Sequence, residues 1–404
     1  MSRLKVLTVF GTRPEATKMA PVIRELEAHP DQIESRVVVT AQHREMLDLV
    51  LEHFRIVPDY DLEIMLPRQT LTETAVRALD RLSPVIAREK PSLVLVHGDT
   101  LTTLMGTLSA YFHQVPVGHV EAGLRTHDKL APFPEEMMRR LTDAACDLHF
   151  CATAWARDNL VAEGIKSSSV FVTGNTAIDS LFWTVRPGYK FVSPGLEGLD
   201  PEKRLILVDV HRRENFGQPM REIAQALQDL AREETGVQLL ISAHLNPEAG
   251  AVLREHLLDM DRVLLMDPLP YPDWANLMQR ACLIITDSGG LQEEAPSLGV
   301  PVLLAREKTE RPEAVAAGTV VLVGSSRERI VGQTRRLLHD SHAYAAMARA
   351  SNPYGDGRAA ARTVHGILYH FGRISVPPRP WKPEVEGGEA SDPGIAGADP
   401  ALRG

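Results

Sequence analysis

The stretch LIITDSGGLQEEAPSLGVPVLLA, Leu283–Ala305, carries the pattern from which the rest of the chain can be read. Its apolar run Leu283–Thr286 has the unbroken character of a strand buried on both faces. Ser288, Gly289 and Gly290 then form a loop, Glu293 and Glu294 open a helix, and VPVLLA from Val300 is the next strand. Strand, glycine loop, helix and strand make the repeating unit of a parallel sheet. The loop brings bare backbone N–H groups to a helix N-terminus, where unpaired amides and the helix dipole favour an anion, phosphate first. A cap at Asp287 or Ser288 with a tight turn at the glycines accounts for the same residues equally well.

The alternation repeats outward in both directions. KVLTVF at Lys5, VVVT at Val37, LVLVHG at Leu93, VPVGHVE at Val115, DLHFCA at Asp147 and VFVTG at Val170 are separated by amphipathic segments. RLILVDVH at Arg204, VQLLISAH at Val237, VLLMDP at Val263 and TVVLVG at Thr319 continue it. The pattern predicts an α/β protein of two Rossmann-like, doubly wound domains, residues 1–184 and 204–357, joined by a proline- and glycine-rich linker over 185–203. Ligands of open parallel sheets bind beyond the carboxyl ends of the strands, so the site belongs in a central cleft between the domains. Residues 375–404, rich in glycine and proline, read as a flexible tail.

At 404 residues, two domains are the natural expectation, and a net charge of -9 argues against a nucleic-acid binder. The cysteines Cys146, Cys151 and Cys282 show neither a CxxC pair nor zinc-site spacing, which points to a reducing compartment without disulfides. The N-terminal apolar run is too short for a signal peptide or a membrane span, so a cytoplasmic protein with no membrane partner is expected. No GxGxxG and no Walker sequence follows a strand, and no HExxH-like pairing occurs, so neither a cofactor nor a metal is expected.

Polar groups gather just past the strands. In the first half these are Arg13, Glu15 and Lys18, then Asp99, Glu121, Glu135 and Glu136. In the second they are His211, Arg212, Arg213 and Glu214, then His244, Ser288–Glu294 and Arg311. Asp99, Glu121 and Glu135 suit proton transfer to and from a substrate carbon, since clustered carboxylates shift one another's pKa toward neutrality. Singly, each could equally pair with Arg13, Arg125 or Arg139. His211 beside two arginines suits a phosphate, because guanidinium forks match its oxygens. One of Glu293 and Glu294 could accept from vicinal sugar hydroxyls, or both could be a solvated pair in a helix's first turn. His97, His119 and His149, at strand ends, read as hydrogen-bonded structural residues.

Ordered along the chain from Lys5 to Gly357 stand FGTRPEATKMAP, TAQHREMLD, HGDT, HVEAGLRT, PFPEE, TGNTAIDSL, HRREN, HLNP, TDSGGLQEEAPSLGVPVL, TERPEAV and NPYGDG. On these motifs the sequence resembles the non-hydrolysing UDP-N-acetylglucosamine 2-epimerases, of glycosyltransferase-B-like fold. The resemblance implies interconversion of UDP-GlcNAc and UDP-ManNAc through elimination of UDP to a bound 2-acetamidoglucal, supplying ManNAc precursors for cell-surface polysaccharide. It implies Asp99, Glu121 and Glu135 as acid/base groups and His211 as the group assisting the diphosphate. Ser288, Gly289 and Gly290 would bind phosphate, Glu294 the ribose, and Arg13, Lys18 and Arg311 would line the cleft. It further implies a homodimer, a helix over 358–374 crossing back to the first domain, and UDP-GlcNAc as allosteric activator at Gln42, His43, Arg68 and His244. Two departures stand out: Asp209 in place of the usual threonine before His211, and Met138 in place of an asparagine beyond PEE. The alternatives are a hydrolysing epimerase, an epimerase of a modified sugar such as a UDP-diacetamido-uronic acid, a glycosyltransferase, and a nucleotide-sugar-binding protein.

Overall fold

The computed structural model describes residues 2–41, 44–66, 68–242 and 247–383. Two parallel sheets form. The first takes β1 (Leu4–Phe10), β2 (Ile33–Val39), β3 (Tyr60–Asp61), β4 (Leu93–His97), β5 (Val117–Val120), β6 (Leu148–Cys151) and β7 (Val170–Val172), in the order β3-β2-β1-β4-β5-β6-β7. The second takes β8 (Arg204–Asp209), β9 (Val237–Ser242), β10 (Val263–Met266), β11 (Ala281–Thr286), β12 (Val302–Leu304) and β13 (Val320–Leu322), in the order β10-β9-β8-β11-β12-β13. The winding reverses between β1 and β4 and again between β8 and β11, and open α/β sheets hold their ligands at such reversals. The doubly wound, two-sheet architecture expected from the sequence is present.

Both faces of each sheet are covered, which is why the strands read as continuous apolar runs rather than as alternations. In β1, Val6 and Phe10 enter one core while Leu7 and Val9 enter the core on the opposite face, following the two-residue period of a strand. In β8, Ile206 and Val208 face one way and Leu205 and Leu207 the other.

The helix Ala359–His370 follows the second sheet in sequence and packs with the first. Ala360, Val364, Ile367 and Leu368, spaced to share one helical face, are buried with Phe10, Met19 and Phe150. Asp179 accepts from the backbone N–H groups of Ala359 and Ala360 at 3.1 and 2.8 Å, satisfying two donors that open this helix. The 185–203 segment is strapped to the second half, since Asp273 accepts from Tyr189 Oη, Val192 N and Ser193 N.

Within residues 375–383, the first part of the segment read from the sequence as a flexible tail, Trp381 is docked on the first domain and the segment after the second. Trp381 N–H donates to the Val172 carbonyl at 2.8 Å and its indole to the Pro353 carbonyl at 2.9 Å, with the Arg362 guanidinium 5.5 Å from the ring. A single tryptophan with a partner for each donor outweighs the local proline content, which only excludes helix and sheet. Ile367→Ala should lower the unfolding free energy in urea by about 2–5 kcal/mol, the usual cost of a large cavity in a packed core. A loss below about 1 kcal/mol would mean that the helix is not part of the first core.

Candidate active site

A cavity of about 370 Å³ lies at the carboxyl ends of β1, β4, β5 and β11, lined from both halves of the chain. Its frame begins at Thr12, which caps the helix Arg13–Glu27 in a reciprocal box with Glu15. Glu15 is buried and accepts from Gly11 N, Thr12 N, Thr100 Oγ1 and Thr103 Oγ1 at 2.7–3.1 Å. One carboxylate thus ties the loop after β1 to the loop after β4.

Three candidate acids line this cavity together: Asp99, Glu121 and Glu135. Glu121 follows β5 with φ of +65°, a conformation costly for a residue with a Cβ, and held where the surroundings determine it fully. Lys18 Nζ donates to its two oxygens at 2.6 and 2.8 Å, and His97 Nε2 stands 2.8 Å from Oε2. Burial opposes ionisation of Glu121, but Lys18 and His97 outweigh it and hold the carboxyl well below its usual range. His97 therefore departs from the purely structural reading of the sequence. His119 and His149 keep that reading, the first between Asp143 and the Gly98 carbonyl, the second on the Asp143 carbonyl.

Asp99 accepts from Arg139 Nη2 at 2.7 Å, so of the pairings open to the acids, this one forms. Arg125 instead meets Asp143 and Glu163, away from the acids. Glu135 opens the helix Glu135–Ala145, and its Oε2 is buried without a hydrogen-bond partner.

From the second half come Ser288, Gly289, Gly290, Arg212, Glu310 and Arg311. Ser288 makes no side-chain cap bond, and Asp287 is not a cap either. Asp287 is fully buried and accepts from His211 N, Arg212 N and Asn215 Nδ2 at 2.8–3.0 Å, fixing the HRREN loop beside the glycines. Arg311 Nε donates to Glu293 Oε1 at 2.5 Å and Nη1 to Glu310 Oε1 at 2.5 Å. A Cβ on Gly289 would stand 2.7 Å from Arg311 Nη1, so the guanidinium lies directly on glycine backbone.

Arg13, His211 and Glu294 are not in the cavity wall but around its second-half side. Burial lowers the pKa of Arg13, with Asp209 and Glu294 as the carboxylates acting against that effect. Burial pushes Glu294 up to about 7, with Lys18 pulling it down and Glu293 pushing it further up. Burial works against a charged His211, yet its bond to Asp209 at 3.1 Å raises its pKa on balance. Gln42, His43 and His244 lie outside the described residues, and Arg68 is exposed, so no second site is assembled among the described residues from this set.

A larger cavity, about 1270 Å³, opens toward the C-terminal half of the helix Arg13–Glu27, between Arg24, His53, Phe54, Trp183 and Arg186. It lacks the facing acids and the glycine loop of the smaller one. Among the described residues no cluster of histidine, cysteine and carboxylate side chains could hold a metal, and no helix is long and apolar enough to cross a membrane.

His97, Arg139, Asp287 and Glu310 were not singled out by the sequence as site residues. His97 and Asp287 carried a signal, each being a polar residue at the carboxyl end of a strand. Arg139 was open as a partner of the acids alongside Arg13 and Arg125, and Glu310 becomes visible only once the loop bearing it is placed.

Residues 24–368 match the family model described as UDP-N-acetylglucosamine 2-epimerase. The chain belongs to the UDP-N-acetylglucosamine 2-epimerase family. It is 52% identical over 372 residues to the UDP-N-acetylglucosamine 2-epimerase of Bacillus subtilis, covering 92% of this chain and 97% of that one. The Escherichia coli K12 enzyme of the same name is 51% identical over 379 residues, covering 92% of this chain and all of that one. The crystal structure of the Neisseria meningitidis UDP-GlcNAc 2-epimerase bound to UDP-GlcNAc superposes with a TM-score of 0.85 at 45% identity, covering 90% of this chain and 100% of that one.

For this member of the epimerase family, Lys18→Met should be costly, since it removes the ammonium that pairs with both oxygens of buried Glu121 and leaves only His97 beside it. The expected loss at pH 8 is about 3–5 kcal/mol. In the parent chain the depressed Glu121 pKa adds stability that is present above its unfolded value and lost as pH falls through the folded value. In the variant burial is opposed by His97 alone, so the Glu121 pKa rises relative to the parent and the penalty should shrink toward pH 5; a penalty independent of pH in chemical denaturation would contradict the pairing. Gly289→Val should displace Arg311 and weaken UDP binding by about tenfold or more in calorimetry, and an unchanged affinity would remove the glycine loop from the phosphate site.

Proposed function

We propose that this chain interconverts UDP-GlcNAc and UDP-ManNAc without hydrolysis. The observation that carries the proposal is a single cavity in which Asp99, Glu121 and Glu135 of the first half face Ser288–Gly290, Arg212 and Arg311 of the second. Carbon-2 of the sugar bears a hydrogen that is not acidic, so inversion there has to proceed with departure of the anomeric substituent. The C1–O bond breaks, its electron pair leaves with UDP, and the C2–H proton passes to a carboxylate, giving 2-acetamidoglucal. UDP then adds back to carbon-1 while a proton is delivered to the opposite face of carbon-2. Atoms and charges balance without a redox cofactor.

The roles follow from the surroundings. Asp99, Glu121 and Glu135 act as the acid/base groups, and Glu121, held ionised beside Lys18 and His97, suits proton acceptance. Ser288, Gly289, Gly290, Arg212 and Arg311 meet the diphosphate, whose charge develops as the bond breaks. His211, whose pKa the bond to Asp209 raises against burial, assists that departure, and Arg13 lies nearby. Glu294 receives the ribose, because Glu293 is already engaged by Arg311 and Asn175. Assembly as a homodimer, a cytoplasmic setting that feeds polysaccharide synthesis, and a regulatory UDP-GlcNAc at Gln42, His43, Arg68 and His244 rest on the family resemblance alone.

Proton NMR with UDP-GlcNAc as sole substrate in heavy water tests the reaction. UDP-ManNAc with deuterium at carbon-2 is the expected product. Free ManNAc with UDP would replace the proposal by hydrolysis, and no turnover would exclude UDP-GlcNAc as substrate. Asp99→Asn, Glu121→Gln and Glu135→Gln should each cut turnover about a hundredfold or more with the fold retained. Near-normal rates in two of the three folded variants would defeat the acid/base assignment.

A further inference from the structure

Tyr271 stands at the joint between the two halves. It opens the helix Tyr271–Arg280 of the second half, yet its ring packs against both the first-half and the second-half cores. On the first-half side it meets His53 and Phe54, with ring centroids 6.4 and 6.2 Å away. His53 Nε2 is itself 3.0 Å from Thr184 Oγ1. The phenol is thereby seated, and its hydroxyl donates to Glu294 Oε1 at 3.3 Å.

We infer that Tyr271 is a positioning residue for nucleoside recognition: its hydroxyl orients the Glu294 carboxylate toward the vicinal hydroxyls of ribose, making the site selective for ribonucleoside over 2′-deoxyribonucleoside diphosphates. The inference rests on the reading of Glu294 as the ribose group. A carboxylate held at one oxygen keeps lone pairs for two further donors, whereas an untethered one rotates among them. A site built to accept from a hydroxyl also discriminates strongly against a ligand that lacks it, because the carboxylate is then left underbonded. Glu293, the adjacent carboxylate, is occupied by Arg311 and Asn175.

The groups acting on Glu294 are Lys18 and Arg13 from the helix Arg13–Glu27, Glu293 from its own helix, and Tyr271. Burial is the largest influence and raises its pKa to about 7, while the Tyr271 bond lowers it. Removing the hydroxyl therefore moves the Glu294 titration to higher pH. Ribose recognition should be present above that pKa and lost on acidification through it, earlier in a variant without the phenol.

The experiment is calorimetric titration of the full-length protein, Tyr271→Phe and Glu294→Gln with UDP and 2′-deoxy-UDP from pH 6 to 8.5. The two ligands share the diphosphate, so the ratio of their affinities isolates the hydroxyl. A preference for UDP of about tenfold is expected in the parent protein at pH 8, in line with one hydrogen bond to a charged group. In Tyr271→Phe it should fall to about threefold or less at pH 7 and recover partly by pH 8.5. A merely structural ring would leave the ratio unmoved, because phenylalanine fills the same joint. His53→Ala, which unseats the phenol while sparing its hydroxyl, should lower the preference part-way, and serves if the phenylalanine variant is unstable. An unchanged ratio and pH profile in Tyr271→Phe, with the preference lost in Glu294→Gln, would overturn the role of Tyr271 alone. A preference retained in Glu294→Gln would overturn the ribose reading, and the inference with it.

Discussion

A carboxylate with almost no contact with water holds this molecule together. Glu293 is 1% exposed, and an ion in that position is tolerable only if its charge and lone pairs are answered. Arg311 donates from the loop after β12 and opposes the burial that raises the Glu293 pKa, and Asn175 Nδ2 donates at 2.7 Å from the loop after β7. Asn352 Nδ2 reaches the Glu293 carbonyl at 2.7 Å, just before the chain returns to the first sheet. One side chain therefore gathers groups from both halves. Because the same Arg311 lies on the bare backbone of Gly289, the interaction that closes the joint also sets the floor of the cavity.

Charge in the cavity is balanced on one wall and left in surplus on the other. Lys18 neutralises Glu121 and Arg139 engages Asp99, so the acids are organised before any ligand arrives. Opposite them, Arg311 and Arg306 pull Glu310 down to about 2 against its burial, and their charge is largely spent there. Arg212 reaches Glu310 only at 3.7 Å. Burial lowers its pKa, and Arg306 and Arg311 lower it further against Glu310, so positive charge is concentrated on this wall. Two of the three acids opposite, Asp99 and Glu121, already have cationic partners, while Glu135 Oε2 has no hydrogen-bond partner.

The fold was legible because fully buried strands leave an unmistakable trace: LVLV, LILV and LII are apolar at every position, and only a sheet covered on both faces asks for that. Asp99, Glu121 and Glu135 were legible because each lies at a strand or helix boundary facing the cleft. Partnership was not. Arg125 and Arg139 look alike in sequence as candidates for the acids, and only packing sends one to Asp143 and the other to Asp99. His97 looked structural beside His119 because both end a strand, yet register places His97 next to Glu121 and leaves His119 hydrogen-bonded under the loop at Gly98. Trp381 was hidden within a proline-rich segment, where composition reports the absence of helix and strand but not the presence of a docking partner.

Asp209 shows how a sequence departure changes meaning in three dimensions. Read along the chain, it adds a negative charge next to a loop meant for phosphate and should oppose binding. In the structure its oxygen stands 3.1 Å from His211 Nδ1, and its field acts on Arg13 as well. The charge is consumed within the protein, and its effect on the imidazole is to favour the cation over the burial that would otherwise discharge it. A carboxylate that looks hostile to phosphate in sequence thus pairs with the imidazole beside it and raises its pKa against burial.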